Sequence, residues 1–317
     1  MMLNTLKYYF KNTIGYLFKI CGGIYLIKYI LKKKPYYMVF NYHNFSKYNN
    51  YKIKRGPILE TGYSDNFEKQ ILFLKKHFTF LYPAEFFEGH AENGLNILIT
   101  FDDGYKDNYD LAFPVLKMYQ AKSIFFVVSS IIGTSDFLLH DKIRYLIQNG
   151  YIAEKYNEIP TDLYRGKQNY DENVIDFIND KFEKNTPSKR IMMNSDEILS
   201  ISNANFYIGN HTDTHRGLSF LKLEEQCDEI YKCESFLNSK IERHSLKTIA
   251  YPNGLFNEDT VAILKKSNID YGFTISPGFN NMETDSYKLK RIGLNASDSR
   301  STICLKIGIE LMKMLLK

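Results

Sequence analysis

Two short polar clusters, far apart in the chain, hold the residues best suited to chemistry. Thr100-Phe101-Asp102-Asp103-Gly104-Tyr105 closes an apolar run, and His211-Thr212-Asp213-Thr214-His215 sets two imidazoles four residues apart. Two histidines and a carboxylate at a strand end make up the ligand set of a catalytic zinc-type site, in which three protein ligands leave one position open for water. A second carboxylate beside the first puts a base next to that water. The pattern predicts metal-assisted hydrolysis, with water activated on a divalent cation as the nucleophile. An isolated Asp-Asp-Gly is ordinarily a turn or a helix cap, and it is the histidine pair that sets this one apart. Gly104 allows a sharp turn after the two aspartates, so that one carboxylate can face the metal and the other the water.

These clusters can meet only if the fold brings strand ends together. Apolar runs at Met38–Tyr42, Asn96–Phe101, Ser123–Val128, Phe206–Gly209, Thr248–Tyr251, Tyr271–Ile275 and Arg291–Leu294 read as strands. Helical periods occupy Phe67–Lys76, with Phe67, Ile71, Leu72 and Leu74 on the buried side, and then Leu111–Tyr119, Leu223–Leu237 and Asp259–Lys266. This alternation predicts an α/β fold, an irregular (β/α) barrel of about seven parallel strands. In such folds chemistry gathers at the carboxyl ends of the strands, where Asp102, Asp103, His211 and Tyr251 all fall. The stretch 133–194 between two motif-bearing strands reads as an insertion, with polar runs such as Tyr170-Asp171-Glu172-Asn173, placed so that it could cover the site.

Taken in order, the clusters resemble the polysaccharide deacetylases, the carbohydrate esterase group built on the NodB homology domain. The resemblance runs from about residue 36 to 295. Ala250-Tyr251-Pro252-Asn253-Gly254 is similar to the third family motif, and Asp285 to Ile292 resembles a late Leu-Pro-Arg-Ile segment, with Lys290 where proline is usual. Asn41-Tyr42-His43 is similar to the Tyr-His motif of circularly permuted members, including those acting on surface poly-N-acetylglucosamine. Carried over position by position, the resemblance makes Asp103, His211 and His215 the metal ligands and Asp102 the general base. It makes the backbone N–H of Tyr251 an oxyanion donor, and Arg291 the residue that orients Asp102. No histidine follows His244 to supply the usual late general acid, and the resemblance to the permuted members implies His43 for that role. The implied cofactor is a divalent metal, zinc foremost, with cobalt, nickel or iron as substitutes. The implied substrate is an N-acetylated oligo- or polysaccharide or a lipid-linked sugar, in surface polysaccharide or glycolipid assembly.

The remainder of the chain bounds this reading. Of 317 residues, the first 34 carry seven lysines and no acid, more than the whole net charge of +5, so the rest is close to neutral and nucleic acid is an unlikely partner. Ile14 to Leu31 is interrupted by Lys19 and Lys28, with no cleavage motif after it, which leaves a basic aromatic segment suited either to an anionic membrane surface or to packing on the domain. Residues 1–34 are therefore read as an N-terminal segment, 35–300 as the deacetylase domain and 301–317 as a C-terminal amphipathic helix. Cys21, Cys227, Cys233 and Cys304 lack the paired spacing of a structural zinc site. As reduced thiols they point to the cytoplasm, with the basic segment allowing attachment at the inner face of the membrane. Thr212 and Thr214 are read as loop supports, and His77, His90, His140 and His244, which have no motif partner in the sequence, as surface or core residues. Three alternatives are weighed against a deacetylase: an inactive carbohydrate-binding relative; a 2-His-1-carboxylate iron oxygenase, which would need antiparallel strands; and a glycoside hydrolase, for which Asp102 and Asp103 stand too close.

Overall fold

The computed structural model describes residues 22–45, 64–153, 172–242 and 246–316. In chain order the principal elements are α1 (Gly23–Leu31), β1 (Pro35–Tyr42), α2 (Ser64–His77), β2 (Thr79–Phe80) and β3 (Gly94–Phe101). Next come α3 (Phe113–Tyr119), β4 (Ser123–Val127), α4 (Leu139–Gln148), α5 (Glu172–Glu183), α6 (Ser195–Asn203) and β5 (Tyr207–Asn210). The chain continues through α7 (Leu223–Lys240), β6 (Thr248–Ala250), α8 (Glu258–Lys266), β7 (Tyr271–Phe273), β8 (Arg291–Gly293) and α9 (Arg300–Leu315).

Strands lie in the order β7-β6-β5-β4-β3-β1-β8, with the two-residue β2 paired to β3, and every pair is parallel. The two ends of this order meet where Phe273 bridges Leu289, two residues before β8, so the seven strands form a nearly closed barrel. The parallel pairing removes the oxygenase alternative.

The strands read as near-continuous apolar runs because both faces are buried. Alternate side chains sort onto two sides. Tyr37, Val39, Leu98, Ile124, Phe126, Ala250, Phe273 and Leu289 pack together as the barrel interior. Their neighbours Met38, Phe40, Ile97, Ile99, Phe101, Phe125 and Val127 face outward into the helices, in one cluster with Ile24, Ile27 and Leu31 of α1 and Ile303, Cys304, Ile307 and Leu311 of α9. Both terminal helices thus share the barrel's core. Residues 1–21 lie outside the described residues, and none of the described helices is long and apolar enough to cross a membrane.

Three expectations need correction. Leu72 is exposed, because it falls on the outer face of α2 between the buried Ile71 and Leu74. The helix expected from Leu111 opens instead as a wide π turn over Asn108–Ala112 before α3 begins at Phe113. The seventh strand ends earlier than its apolar run, at Phe273, and leaves Ile275 exposed beyond it.

Gly209 shows how tightly the interior is filled. A Cβ there would run into the Phe126 ring and stand 2.8 Å from Thr248 Oγ1. Gly209→Ala is expected to lower stability by about 1–3 kcal/mol through overpacking, read as a lower urea midpoint at unchanged slope.

Candidate metal centre and active site

The two-residue period of the strands positions half of the site. Counting on from the interior residues, Asn41 follows Val39, Thr100 and Asp102 follow Leu98, His211 follows Gly209, and Arg291 follows Leu289, so all five project into the carboxyl-end mouth. Asp103 would point outward by the same count. It does not, because the strand breaks there: Asp103 takes φ 77° and Gly104 φ 80°. The aspartate itself bears a left-handed conformation, with the glycine continuing the turn, a strain typical of functional loops.

Asp103 Oδ1 stands 3.3 Å from His211 Nε2 and 3.3 Å from His215 Nε2. Donor atoms of the three residues lie within 4.8 Å of one another, and all three side chains are nearly buried. His211 Nδ1 meets the Ala250 carbonyl at 2.7 Å, a contact that fixes the ring and turns Nε2 towards the space it shares with the Asp103 carboxylate. Asp103 Oδ1 itself is buried without a hydrogen-bond partner of acceptable geometry. A tetrahedral ion with bonds of about 2.0 Å has edges of about 3.3 Å, which matches both separations. The donor set and the orphaned anionic oxygen therefore fit a divalent cation.

The loop bearing the histidines is strained and tied down. Thr212 and His215 have φ 67° and 63°. Thr212 Oγ1 accepts from the His215 N–H at 3.0 Å, and Asn210 Oδ1 from the Thr212 N–H at 2.7 Å. From α7, Glu229 accepts from the Thr214 N–H at 2.8 Å and from its hydroxyl. Both threonines support the loop, as read from the sequence.

Asp102 is held by a two-point clamp. Arg291 Nη1 donates to Oδ1 at 2.7 Å, Nη2 to Oδ2 at 2.8 Å, and Asn41 Nδ2 to Oδ2 at 3.0 Å. The guanidinium is fully enclosed, donates from Nε to the Thr274 carbonyl at 2.8 Å and lies over the rings of Phe126 and Phe273. Burial pushes the Asp102 carboxyl up, but Arg291 and His211 outweigh it and hold the group below the usual range. The same contest, decided by His211 and His215, holds Asp103 well below it.

His43 is exposed at the end of β1, near enough for its charge to act on both aspartates. Its carbonyl accepts from Asn108 Nδ2 at 2.7 Å, which gives the π turn a purpose. Tyr251 does not meet its expected role. Its N–H donates to the Phe273 carbonyl at 3.1 Å, because the β6–β7 ladder continues one residue past the strand. Its ring is buried against Phe256 and its hydroxyl bonds the Tyr287 carbonyl. Two residues on, Asn253 sits at φ 56° with Nδ2 buried and without a hydrogen-bond partner.

His140 corrects the sequence reading most. Its ring lies 5.8 Å, centre to centre, from that of His215, and Nε2 is 3.2 Å from the Tyr105 hydroxyl. Tyr105 in turn donates to Asp141 Oδ2 at 2.7 Å. Burial pulls the His140 imidazole down to about 4 and pushes the Asp141 carboxyl up to about 7. No spacing in the sequence links residue 140 to 215, so only the adjacency of His140 to an acid could have drawn attention. His77 and His90 stay away from the mouth, and His244 lies outside the described residues.

Residues 91–272, more than half of the chain, match the polysaccharide deacetylase family. The chain belongs to that family. The match takes in Asp102, Asp103, His140, His211, His215 and Tyr251, while His43 and Arg291 lie outside it. Among curated relatives, the chain is 26% identical over 241 residues to the poly-beta-1,6-N-acetyl-D-glucosamine N-deacetylase of Staphylococcus epidermidis, covering 75% of this chain and 68% of that one. It is 24% identical over 205 residues to YxkH of Bacillus subtilis, covering 65% of this chain and 53% of that one. The chain therefore spans about half to two thirds of the length of these relatives. In fold it is similar to the deacetylase PplD of Streptococcus pyogenes, solved with acetate, at TM-score 0.60 and 18% identity over 86% of this chain and 98% of that one. IcaB from Ammonifex degensii is similar at TM-score 0.55 and 18% identity over 87% and 100%.

A site of two imidazoles and one carboxylate binds metal only with all three ligands deprotonated and present. His211→Ala and His215→Ala are each expected to lose most of the roughly one divalent ion per chain that the parent carries, by elemental analysis after dialysis.

Proposed function

We propose that this protein is a metal-dependent hydrolase that removes acetyl groups from N-acetylated sugars of a surface polysaccharide or glycolipid. The observation that carries the reading is the orphaned Asp103 oxygen at ion-spanning distance from two histidines, with a second, ionised carboxylate beside it. Relatives that act on poly-N-acetylglucosamine support the substrate class.

Asp103, His211 and His215 would hold the metal, and the two-nitrogen, one-oxygen set favours zinc. When bound, such an ion acidifies water towards neutrality and polarises the acetyl carbonyl. Asp102 accepts three hydrogen bonds from Arg291 and Asn41. A carboxylate offers about four lone-pair sites, so one remains to take a proton from the attacking water. Arg291 fixes the direction of that site and keeps the carboxylate ionised. His43, on the exposed flank beside β3, delivers a proton to the departing amine, without which nitrogen leaves poorly. The intact ligand set and ionised base favour turnover over a merely carbohydrate-binding relative.

The basic segment, residues 1–34, is assigned to an anionic membrane surface at its cytoplasmic face. Support comes from its seven lysines and from Tyr25, Leu26 and Tyr29, which α1 leaves exposed beside Lys28 and Lys32.

Acetate release from an N-acetylglucosamine oligomer tests the mechanism. Asp102→Asn is expected to retain metal and lose roughly two to four decades of turnover, whereas Asp103→Asn loses metal as well. His43→Ala retains metal and loses turnover on the amide while sparing an ester whose leaving group needs no proton. Equal metal loss in both aspartate variants would reverse their roles. Sedimentation with vesicles rich in anionic phospholipid tests the surface: binding should fall as salt rises and be weakened when Lys28 and Lys32, on the exposed side of α1, are replaced by Gln.

A further inference from the structure

The segment that enters after β4 and leaves before β5 is anchored to the catalytic loop at both ends. Near its exit, Met192 pairs with Tyr105, Met193 N–H donates to the Gly104 carbonyl at 2.9 Å, and Lys106 N–H to the Ile191 carbonyl at 2.7 Å. Near its entry, α4 delivers Asp141 to the Tyr105 hydroxyl. Arg144 Nη1 stands 3.6 Å from the other carboxylate oxygen, and His140 Nε2 3.5 Å from the first. Four polar side chains are thus gathered where Phe137, Leu138 and Leu139 show that an apolar wall was available. Burying such a group costs stability that apolar side chains would not, and one oxygen of Asp141 is left without a hydrogen-bond partner.

Their place in the barrel relates these groups to the metal ligands. In the barrel order β5-β4-β3-β1, the aspartates end β3, the first histidine ligand follows β5, and His43 follows β1. His140 follows β4, between the aspartates and His211, against the second histidine ligand. Two non-ligand histidines therefore flank β3. His43 is exposed, whereas the His140 side chain is 12% exposed and Asp141 fully enclosed beneath it. The His140 side chain keeps a small exposed surface, while Tyr105 and Asp141 hold its ring beside that of His215.

We propose that His140 is a substrate-contacting residue of this site, which takes a polar group of the N-acetylated sugar on the β4 flank of the metal ligands. The proposal rests on the deacetylase reading above. It makes the inserted segment a determinant of which sugar is accepted, since that segment supplies His140 and the Asp141 beneath it.

The test uses the full chain loaded with metal and two probes, a β-1,6-linked N-acetylglucosamine oligomer and 4-nitrophenyl acetate. In His140→Ala, KM for the oligomer should rise roughly tenfold, the scale of one lost hydrogen bond. Metal content, kcat and hydrolysis of 4-nitrophenyl acetate should stay at the parent level. His140→Gln, which keeps an amide near the Tyr105 hydroxyl, should recover part of the loss and carries the test if the alanine variant does not fold. An unchanged KM overturns the proposal. So does metal loss, or an equal loss on both probes, since either would make His140 a support for His215. If the parent releases no acetate, the deacetylase reading fails by itself. Calorimetric titration of the oligomer then still decides whether His140→Ala weakens binding.

Discussion

Everything in the mouth of the barrel depends on keeping two adjacent carboxylates ionised while both are buried. Asp102 and Asp103 are neighbours in sequence and both nearly enclosed. Two like charges so close raise each other's pKa unless each has its own compensation. Arg291 and Asn41 satisfy the first, and the paired histidines with a cation satisfy the second. The left-handed turn at Asp103 separates them: without it both carboxylates would follow the strand pleat to opposite faces, one into the barrel and one into the helices. Strain at Asp103, Thr212 and His215 is concentrated where the ligands are, and backbone ties from 191–193, Asn210 and Glu229 maintain it.

The buried arginine shows why the interior is polar at one end only. An enclosed ion pair is expensive to build and still more expensive to break. Arg291 nevertheless makes four hydrogen bonds, to Asp102, Thr100 and the Thr274 carbonyl, and lies over two aromatic rings. Below it the barrel is filled by Tyr37, Leu98, Ile124 and Phe126, with Phe86 stacked on Tyr37 near its amino end. The lower half is a conventional core that holds the upper half rigid.

Much of this could be read from the chain itself. The histidine pair and the double aspartate are local patterns with a chemical meaning, and the apolar runs fall in the period parallel strands require, so the fold and the metal ligands were legible. Arg291 was legible through its motif, although only the register Val39–Arg291 brings it beneath Asp102. His140 was not, because its neighbour His215 is supplied by tertiary packing of an inserted helix, and no short-range pattern encodes that meeting. The Tyr251 N–H was misread for a subtler reason. An apolar residue at a strand end looks the same whether its amide is still in the ladder or already released from it, and here the ladder runs one residue further.

Asp102 and its arginine partner are separated by 189 residues. A ribosome adds residues one at a time, at about 5–20 per second, so the central strands emerge many seconds before β8 can dock beside β1. During that interval the barrel has an open seam and its upper half an uncompensated acid. Closing so long a loop brings the entropic penalty of distant contacts, which slows folding. The last strand to arrive thus completes the wall and neutralises the site in one event. A chain that ends between His215 and Arg291 carries Asp103, His211 and His215 yet lacks the counter-charge that clamps Asp102.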